Sequence, residues 1–310
     1  MAEKKILIVD DLHPVFQQEA EKQGYRVDYH PEFKLQDALN IISEYDGLVI
    51  RSKFQVDKAF VDAAEKLKFI GRAGAGMDNL DEAYLKENGI VCINAPEGNR
   101  DAVGEQAIGM LLSLMNNLRK ADMEVRNGIW DREGNRAYEL KGKTVGIIGY
   151  GQMGQAFAKK LKGFEVEVIA FDKYKTEFSD EFASEVSMEQ IVKYSDVLSL
   201  HIPLTRETKQ LVDDEYLLHF KKPIFFLNTA RGEIVNTKAV LSAINEGKIL
   251  GAALEVLQVE KFPALGEQEW FDDLISNGKV LLSPHVAGWS FESYRKISEV
   301  LAEKLKTLKL

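Results

Sequence analysis

The stretch "KTVGIIGYGQMG", residues 143–154, decides the fold of the second half of this chain. A strand-like run precedes the motif Gly149-x-Gly151-x-x-Gly154. The stretch "QMGQAFAKKLKG", which begins at residue 152 within the motif, has a helical period. The next predicted strand, "EVEVIAFD", ends in Asp172, 18 residues beyond the last glycine. This context predicts a Rossmann domain, in which the helix N-terminus faces a pyrophosphate and Asp172 accepts hydrogen bonds from the adenosine ribose. The carboxylate would repel a 2′-phosphate, so the pattern favours NAD over NADP.

Length and composition indicate a globular protein of two domains. The chain has 310 residues, of which 45% are hydrophobic and 29% charged, enough for two separate cores. Lysine and arginine number 40 against 49 acidic residues, and a net charge of −9 argues against a broad nucleic-acid surface. The single cysteine, Cys92, cannot form an intrachain disulfide, and no apolar stretch suits a signal peptide or a membrane span. We therefore expect a soluble, cytoplasmic protein with no membrane partner.

Short apolar runs alternate with helical periods over most of the chain. They extend from "KKILIVD" to about Pro96 and again from "KTVGIIGYGQMG" to "KVLLSPH", which predicts two α/β domains with doubly wound parallel sheets. A long helix is predicted between about Val103 and Leu118, and residues 291–310 have the pattern of an amphipathic helix. The polar stretch 119–142 has weak periodicity and is expected to form an extended arm or a long connection.

The first strand, in "KKILIVDD" at residues 4–11, suggests an alternative. A buried strand that ends in paired carboxylates, here Asp10 and Asp11, can hold magnesium, as in a response-regulator receiver domain. A receiver also needs an aspartate at the end of its third strand, whereas "LVIRSK" places Arg51 there. The receiver interpretation is therefore disfavoured, and we expect no metal at these two aspartates.

Several motifs together identify a family. They are "IRSKFQVDKAFVDAAEKLKFIGRAGAGMDNLD", "NAPEGNRDAVGEQAIGMLL", "GIIGYGQMG", "LNTARGEIVN", "GAALEV" and "LSPHVAGWS". Over essentially its whole length the chain resembles the D-isomer-specific 2-hydroxyacid dehydrogenases, and most of all the members that oxidise 3-phosphoglycerate in serine biosynthesis. The resemblance implies a flavodoxin-like substrate domain, to which the C-terminal helix returns, and a Rossmann NAD-binding domain. The implied boundaries are 1–98 with 289–310 for the first domain and 99–288 for the second.

The resemblance also implies a catalytic set. Oxidising a 2-hydroxy acid requires a base for the hydroxyl proton and a cation for the carboxylate. His285 in "SPH" would be the base, and Arg231 in "NTARGE" would bind the carboxylate through its planar fork. Glu260 would hydrogen-bond His285 and stabilise its protonated form. Two residues depart from the family pattern near Glu260: Glu255 stands in place of the usual aspartate and Lys261 in place of a common proline.

Two further groups of residues follow from the same resemblance. The expected substrate-binding residues are Arg51, Ser52, Arg72, Gly74, Ala75, Gly76 and Arg132. The expected NAD-binding residues are Ala75, Asn99, Gly149, Gly151, Gln152, Met153, Gly154, Asp172, His201, Ile202, Pro203, Thr229, Ala230, Arg231, Glu255, His285, Ala287 and Gly288. Segment 119–142 would embrace the second subunit of a homodimer, with Trp130 as its anchor and Arg132 reaching the partner's active site.

Other functions remain compatible with the sequence. A glyoxylate or hydroxypyruvate reductase, or a dehydrogenase for another D-2-hydroxy acid, would use the same catalytic set. Formate dehydrogenases share the fold but lack the glutamate partner, so Glu260 argues against formate. The family also includes NAD-sensing transcriptional co-repressors, and the set of Arg231, Glu260 and His285 does not exclude such a binding protein.

Overall fold

A computed structural model of the chain describes residues 3–308, which divide into two compact units. The first unit runs to Arg100 and resumes at Gly288, and the second comprises Asp101–Ala287. This division differs by at most two residues from the predicted domain boundaries. None of the helices in the described part of the chain combines the length and apolar character that a bilayer crossing requires.

The elements alternate as the apolar runs predict. The strands are β1 (Lys4–Ile8), β2 (Tyr25–Tyr29), β3 (Gly47–Ile50), β4 (Phe69–Arg72), β5 (Val91–Asn94), β6 (Thr144–Ile148), β7 (Glu167–Phe171), β8 (Ser184–Glu185), β9 (Val197–Leu200), β10 (Ile224–Asn228), β11 (Ile249–Leu254) and β12 (Val280–Leu282). The α-helices are α1 (Val15–Lys22), α2 (Leu35–Leu39), α3 (Lys58–Ala63), α4 (Glu82–Glu87), α5 (Pro96–Met115), α6 (Leu118–Arg126), α7 (Gln152–Leu161), α8 (Met188–Tyr194), α9 (Asp214–Leu218), α10 (Thr237–Asn245), α11 (Phe271–Ser276) and α12 (Phe291–Thr307).

The first unit contains a parallel sheet of order β2-β1-β3-β4-β5. This is the flavodoxin-like order, which reverses direction between β1 and β3. Apolar clusters cover both faces of the sheet. One of them contains Leu301 and Leu305 of α12, packed with Ile6 and Ile8 of β1, so the C-terminal helix completes the core of the N-terminal unit.

The second unit contains a parallel sheet of order β12-β11-β10-β9-β6-β7-β8. Its centre has the Rossmann order, with the reversal between β6 and β9. Strands β6, β9 and β10 are buried along their whole length, because helices cover both faces of the sheet. The predicted fold class, two α/β units with doubly wound parallel sheets, is confirmed.

Helix α5 differs from the prediction, which placed a helix at about Val103–Leu118. It begins at Pro96, a residue whose fixed φ suits the first helical turn, and it ends at Met115. Glycines conceal this start in the sequence. A Cβ at Gly98 would lie 2.6 Å from the Ile297 Cα of α12, so close packing of two helices explains a residue of low helix propensity there.

The predicted extended arm at 119–142 is wrong for its first part, which forms helix α6 (Leu118–Arg126). None of the side chains of α6 is buried. Ion pairs at i,i+4 support it instead, between Lys120 and Glu124 and between Asp122 and Arg126. The i,i+4 spacing of these charges is present in the sequence, and the prediction of an extended arm did not take it into account.

Candidate active site

The glycine loop after β6 has the geometry of a dinucleotide-binding turn. Gly149 has a φ of 92°, and a Cβ there would lie 2.4 Å from the carbonyl oxygen of His201, so both conformation and packing require glycine. A Cβ at Gly154 would lie 2.2 Å from the Gly149 carbonyl oxygen, which brings α7 against the loop. Conformation and packing therefore require glycine at the first position of the motif, and packing requires it at the third.

Neither conformation nor packing within the protein explains why residue 151 is a glycine. Its backbone is extended, with a φ of −85°, and a Cβ would meet no described atom within 4 Å beyond its chain neighbours. Neither strain nor packing excludes a side chain here, whereas a pyrophosphate lying on the backbone would. The loop is also followed by the positive end of α7, whose first turn contains Gln152 and Met153.

Asp172 lies beside this loop, directly after β7. Its Oδ2 accepts the Tyr150 N–H at 2.9 Å and its Oδ1 accepts the Tyr174 N–H at 3.0 Å. Two backbone donors therefore hold the carboxylate in place next to the glycine turn. This is the position from which an acid at the end of the second strand binds the hydroxyls of an adenosine ribose.

His201 follows β9 with its ring turned towards the interior of the unit. Its Nε2 lies 2.9 Å from Ser199 Oγ, and the ring packs against Phe157 at 5.4 Å between centroids. Burial lowers the pKa of His201 to about 4, so the imidazole is neutral near pH 7. The expected NAD contact at residues 201–203 then falls on their backbone, and His201 is unsuited to act as the base.

Three predicted NAD-binding residues, apart from the inward-facing His201, carry a buried polar atom that has no hydrogen-bond partner within residues 3–308. These atoms are Asn99 Oδ1, Thr229 Oγ1 and Glu255 Oε2. An unpaired buried polar group costs ~1–3 kcal/mol, and a dinucleotide offers amide, hydroxyl and phosphate groups that can pair with it. The residues present therefore fit NAD.

The loop that carries Arg231 is held by Asn228, the fully buried last residue of β10. Asn228 Oδ1 accepts the Ala230 N–H at 3.0 Å, and Asn228 Nδ2 donates to the Arg231 carbonyl oxygen at 2.9 Å. A Cβ at Gly232 would lie only 1.9 Å from the Leu257 carbonyl oxygen. The glycine therefore lets this loop pack against the segment that follows β11.

His285 and Glu260 form the pair that the catalytic chemistry requires. Nδ1 of His285 lies 2.9 Å from Oε2 of Glu260. The two side chains are 47% and 40% exposed, so the far side of the ring remains accessible. Since Nδ1 faces the carboxylate, Nε2 is the nitrogen left to exchange a proton with a substrate.

Glu255 fixes the loop that bears this histidine. His285 has a φ of 56°, a conformation that residues other than glycine seldom adopt, and its N–H donates to the Glu255 carbonyl oxygen at 2.9 Å. The Glu255 side chain, 1% exposed, accepts the Ala287 N–H through Oε1 at 2.5 Å. Glu255, which stands in place of the usual aspartate, thus holds this loop at His285 through its backbone carbonyl and at Ala287 through its carboxylate. Lys261, the second departure, is exposed.

In the first unit, Asp10 fixes the loop that follows β3. Its Oδ2 accepts the N–H groups of Arg51, Ser52 and Lys53 at 2.9, 3.2 and 3.3 Å. These residues lie where the strand order reverses, the usual ligand-binding edge of an open α/β sheet. Within residues 3–308, no group of three or more histidine, cysteine, aspartate or glutamate side chains is placed to hold a metal ion.

The Arg51 guanidinium lies on an aromatic platform. Its Cζ is 3.6 Å from the centroid of the Trp289 ring, which meets the Tyr294 ring edge-on at 5.7 Å. Tyr294 in turn donates its hydroxyl to Asp11 Oδ1 at 2.9 Å. Burial lowers the pKa of Arg51, while Asp10 and Asp11 oppose that shift, so the side chain stays charged. The face of the guanidinium is thus covered, and its N–H edge makes no hydrogen bond that the described residues supply.

The glycine loop at 74–76 follows β4 on the same edge of this sheet. The end of β5 holds it, because Ala95 N–H donates to the Gly74 carbonyl oxygen at 2.8 Å and Asn94 Nδ2 to that of Ala75 at 2.7 Å. Since β3 and β4 are neighbours, the loop and Arg51 leave the sheet side by side at the same edge.

The remaining predicted residues occupy varied positions. Arg72 is half-buried at the end of β4, and Ser52 is exposed. Asn99 lies in α5, where its side chain contacts Gly288 so closely that a Cβ there would be 2.6 Å from Asn99 Nδ2. Arg132 is exposed in a turn of the second unit, so its predicted role in a partner's active site stays a prediction.

Sequence reasoning did not identify Asn228, Trp289 and Tyr294. Asn228 could have been found as a polar residue that ends the apolar run "PIFFLN", since such a residue must find partners when buried. Trp289 lies within the His285 motif "LSPHVAGWS" and Tyr294 follows it, but only the return of α12 to the first unit brings them to Arg51 and Asp11.

The chain is similar to several known proteins. Residues 108–287 match the family described as D-isomer specific 2-hydroxyacid dehydrogenase, NAD binding domain. A D-3-phosphoglycerate dehydrogenase of Methanocaldococcus jannaschii is 33% identical over 97% of this chain, which spans only 57% of that protein's length. A hydroxypyruvate reductase of Thermotoga maritima is 34% identical over 87% of this chain and 86% of its own length. A glyoxylate reductase structure from Paecilomyes thermophila has a TM-score of 0.88 over 99% of this chain and 95% of its own, and at 24% identity it shows the fold alone.

Proposed function

The chain belongs to the D-isomer-specific 2-hydroxyacid dehydrogenases, and from this membership we propose that it transfers hydride between NAD and a D-2-hydroxy acid. The contact that carries the proposal is the 2.9 Å pair of His285 Nδ1 and Glu260 Oε2. An NAD-sensing co-repressor could contain this pair and catalyse no reaction. Reduction of any 2-oxo acid with NADH would therefore identify the protein as an enzyme.

In this mechanism each residue has one task. The glycine loop, Asp172 and the residues around Thr229 and Glu255 would hold NAD, which would supply the hydride acceptor when bound. Arg231 binds the substrate carboxylate, and its guanidinium polarises the 2-oxo group in the reverse direction. His285 Nε2 takes the hydroxyl proton during oxidation. Glu260 stabilises the imidazolium that results.

For the substrate we propose 3-phosphoglycerate, oxidised to 3-phosphohydroxypyruvate, which would place the enzyme in serine biosynthesis. Support comes from Arg51, whose face rests on Trp289 while its donors remain available for a phosphate. Ser52 offers a hydroxyl beside it, and the loop at 74–76 would face the carboxylate end. The resemblance adds Arg132 of a second subunit as a further cation.

A hydroxypyruvate or glyoxylate reductase is the second candidate. It is favoured by the hydroxypyruvate reductase of Thermotoga maritima, which this chain matches over 86% of that protein's length. The kcat/KM values with NADH distinguish the two. A higher value for 3-phosphohydroxypyruvate than for hydroxypyruvate and glyoxylate supports the phosphoglycerate assignment, and the opposite order assigns the protein to the reductases.

The cofactor choice gives a prediction at Asp172. Wild type should prefer NAD(H) strongly over NADP(H), because the fixed carboxylate repels a 2′-phosphate. Asp172→Ser should narrow this preference by removing the charge while leaving a hydroxyl near the ribose. The ratio of the two kcat/KM values measures it, and a wild-type preference for NADP(H) would show that Asp172 has been misinterpreted.

The subunit arrangement gives another prediction. We propose a homodimer that buries the apolar side chains exposed on and after α6, which are Leu118, Met123, Val125, Ile129 and Trp130. Trp130 is 80% exposed, an unusual state for an indole unless a partner covers it. Light scattering should give twice 34.9 kDa. Trp130→Arg should lower that mass, whereas Leu218→Arg, at an exposed leucine elsewhere in the unit, should not.

A fully active wild-type monomer at micromolar concentration would contradict both the interface and the assignment of Arg132. A Trp130→Arg protein that stayed dimeric would remove Trp130 as the anchor.

A further inference from the structure

The residues that follow Asp172 include two lysines, Lys173 and Lys175, which could in principle bind a 2′-phosphate. Such cations beside the ribose commonly decide whether a Rossmann domain takes NADP. Both lysines have protein partners in this structure. Lys175 Nζ donates to the Tyr150 carbonyl oxygen at 2.8 Å, and Lys173 Nζ pairs with Glu207.

Glu207 comes from a different loop, the one that follows β9. The sheet order β9-β6-β7 places the loops after β7 and β9 on either side of the glycine loop after β6. Glu207 therefore connects the two flanks of the dinucleotide loop. Its Oε2 also accepts the Tyr174 hydroxyl at 3.3 Å, so one carboxylate engages two of the three residues after Asp172.

We propose that Glu207 is a second determinant of NAD specificity, which holds Lys173 away from a 2′-phosphate. The proposal concerns the cofactor and is independent of which hydroxy acid the enzyme uses. Lys173 lowers the pKa of Glu207, and Glu207 raises that of Lys173, so both are charged at neutral pH. A phosphate would have to displace a carboxylate that is already paired.

This arrangement changes what a single substitution at Asp172 can do. Removing the Asp172 carboxylate takes away one repulsion but leaves Lys173 engaged by Glu207. Removing Glu207 as well frees an ammonium next to the ribose position, where it can make a charge-assisted hydrogen bond to phosphate. The two substitutions should therefore reinforce each other, as expected for residues that share a ligand.

The test is the dissociation constant of NADPH and of NADH, measured by nucleotide fluorescence without any substrate. Glu207→Gln should tighten NADPH binding about five- to tenfold and change NADH binding less than about twofold. Adding Asp172→Ser should tighten NADPH binding by more than the product of the two single effects. Adding Lys173→Gln to Glu207→Gln should abolish the gain.

The matched control is Glu269→Gln, which breaks the exposed Lys238–Glu269 pair of the same unit. An NADPH effect of Glu207→Gln no larger than that of Glu269→Gln would overturn the proposal, and so would an equal gain for NADH. A gain that survived Lys173→Gln would show that Glu207 does not act through the lysine. These experiments measure nucleotide binding alone. They therefore test the role of Glu207 even if the protein reduces none of the acids tested.

Discussion

Replacing His285 by alanine should leave NADH affinity nearly unchanged and lower turnover ~10²–10⁴-fold, the usual contribution of a positioned acid–base group. The ring pairs with Glu260 through Nδ1, so its loss removes the proton acceptor and leaves the Glu260 carboxylate with no imidazolium to stabilise. It contributes little to holding the dinucleotide, which the loops around Gly151 and Asp172 would bind. Steady-state kinetics and an NADH titration by fluorescence measure the two effects separately.

A second variant at position 285 is needed because the backbone conformation there is unfavourable for alanine. Its φ of 56° lies in the left-handed region, where alanine is strained and asparagine is better tolerated. His285→Asn should therefore lose the same turnover as His285→Ala but keep more of the loop's stability, as urea unfolding would show. Turnover close to wild type in either protein would remove His285 from the mechanism.

Replacing Arg51 by alanine should raise the Michaelis constant for 3-phosphoglycerate, or for 3-phosphohydroxypyruvate, by more than about tenfold. A charge-assisted hydrogen bond to phosphate contributes ~1.5–3 kcal/mol, which corresponds to at least a factor of about ten. Kinetics with unphosphorylated hydroxypyruvate should barely change. The loop itself should survive, because Asp10 binds the backbone N–H of residue 51 and not its side chain.

The platform under Arg51 supplies the controls. Trp289→Phe keeps an aromatic face for the guanidinium, whereas Trp289→Leu does not, so only the second should raise the Michaelis constant of the phosphorylated acid. Arg51→Lys keeps the charge but loses the planar fork, and it should fall between wild type and Arg51→Ala. Equal effects of Arg51→Ala on both substrates would remove the phosphate assignment and leave the wider dehydrogenase proposal standing.

Most of the fold could be predicted from the sequence because parallel strands that are buried on both faces appear as short, regularly spaced apolar runs, such as "VGII" of β6. Prediction failed where a helix owes its stability to something other than an apolar face. Helix α5 starts at Pro96 and contains Gly98 for contact with α12, a partner that the local pattern does not contain. Helix α6 did carry a local signal, the i,i+4 spacing of Asp122 and Arg126, and the prediction of an extended arm overlooked it.

The candidate site was predicted as a set of residue types, but not how those residues are held. Motif resemblance led to His285 and Glu260, and the structure places their side chains 2.9 Å apart. The resemblance could not indicate that the Glu255 carboxylate accepts the Ala287 N–H in the histidine loop, or that Asp10 accepts the backbone N–H of Arg51. Both carboxylates accept backbone N–H groups distant in sequence, and such long-range contacts depend on the folded chain.

The most direct test of the proposed activity is the configuration of the product formed from hydroxypyruvate and NADH. Chiral analysis of the glycerate produced requires no assumption about the physiological substrate. Membership of the D-isomer-specific family, with Arg231 holding the carboxylate and His285 Nε2 delivering the proton, predicts D-glycerate as the sole enantiomer. Formation of L-glycerate by a protein that binds NADH would contradict the account.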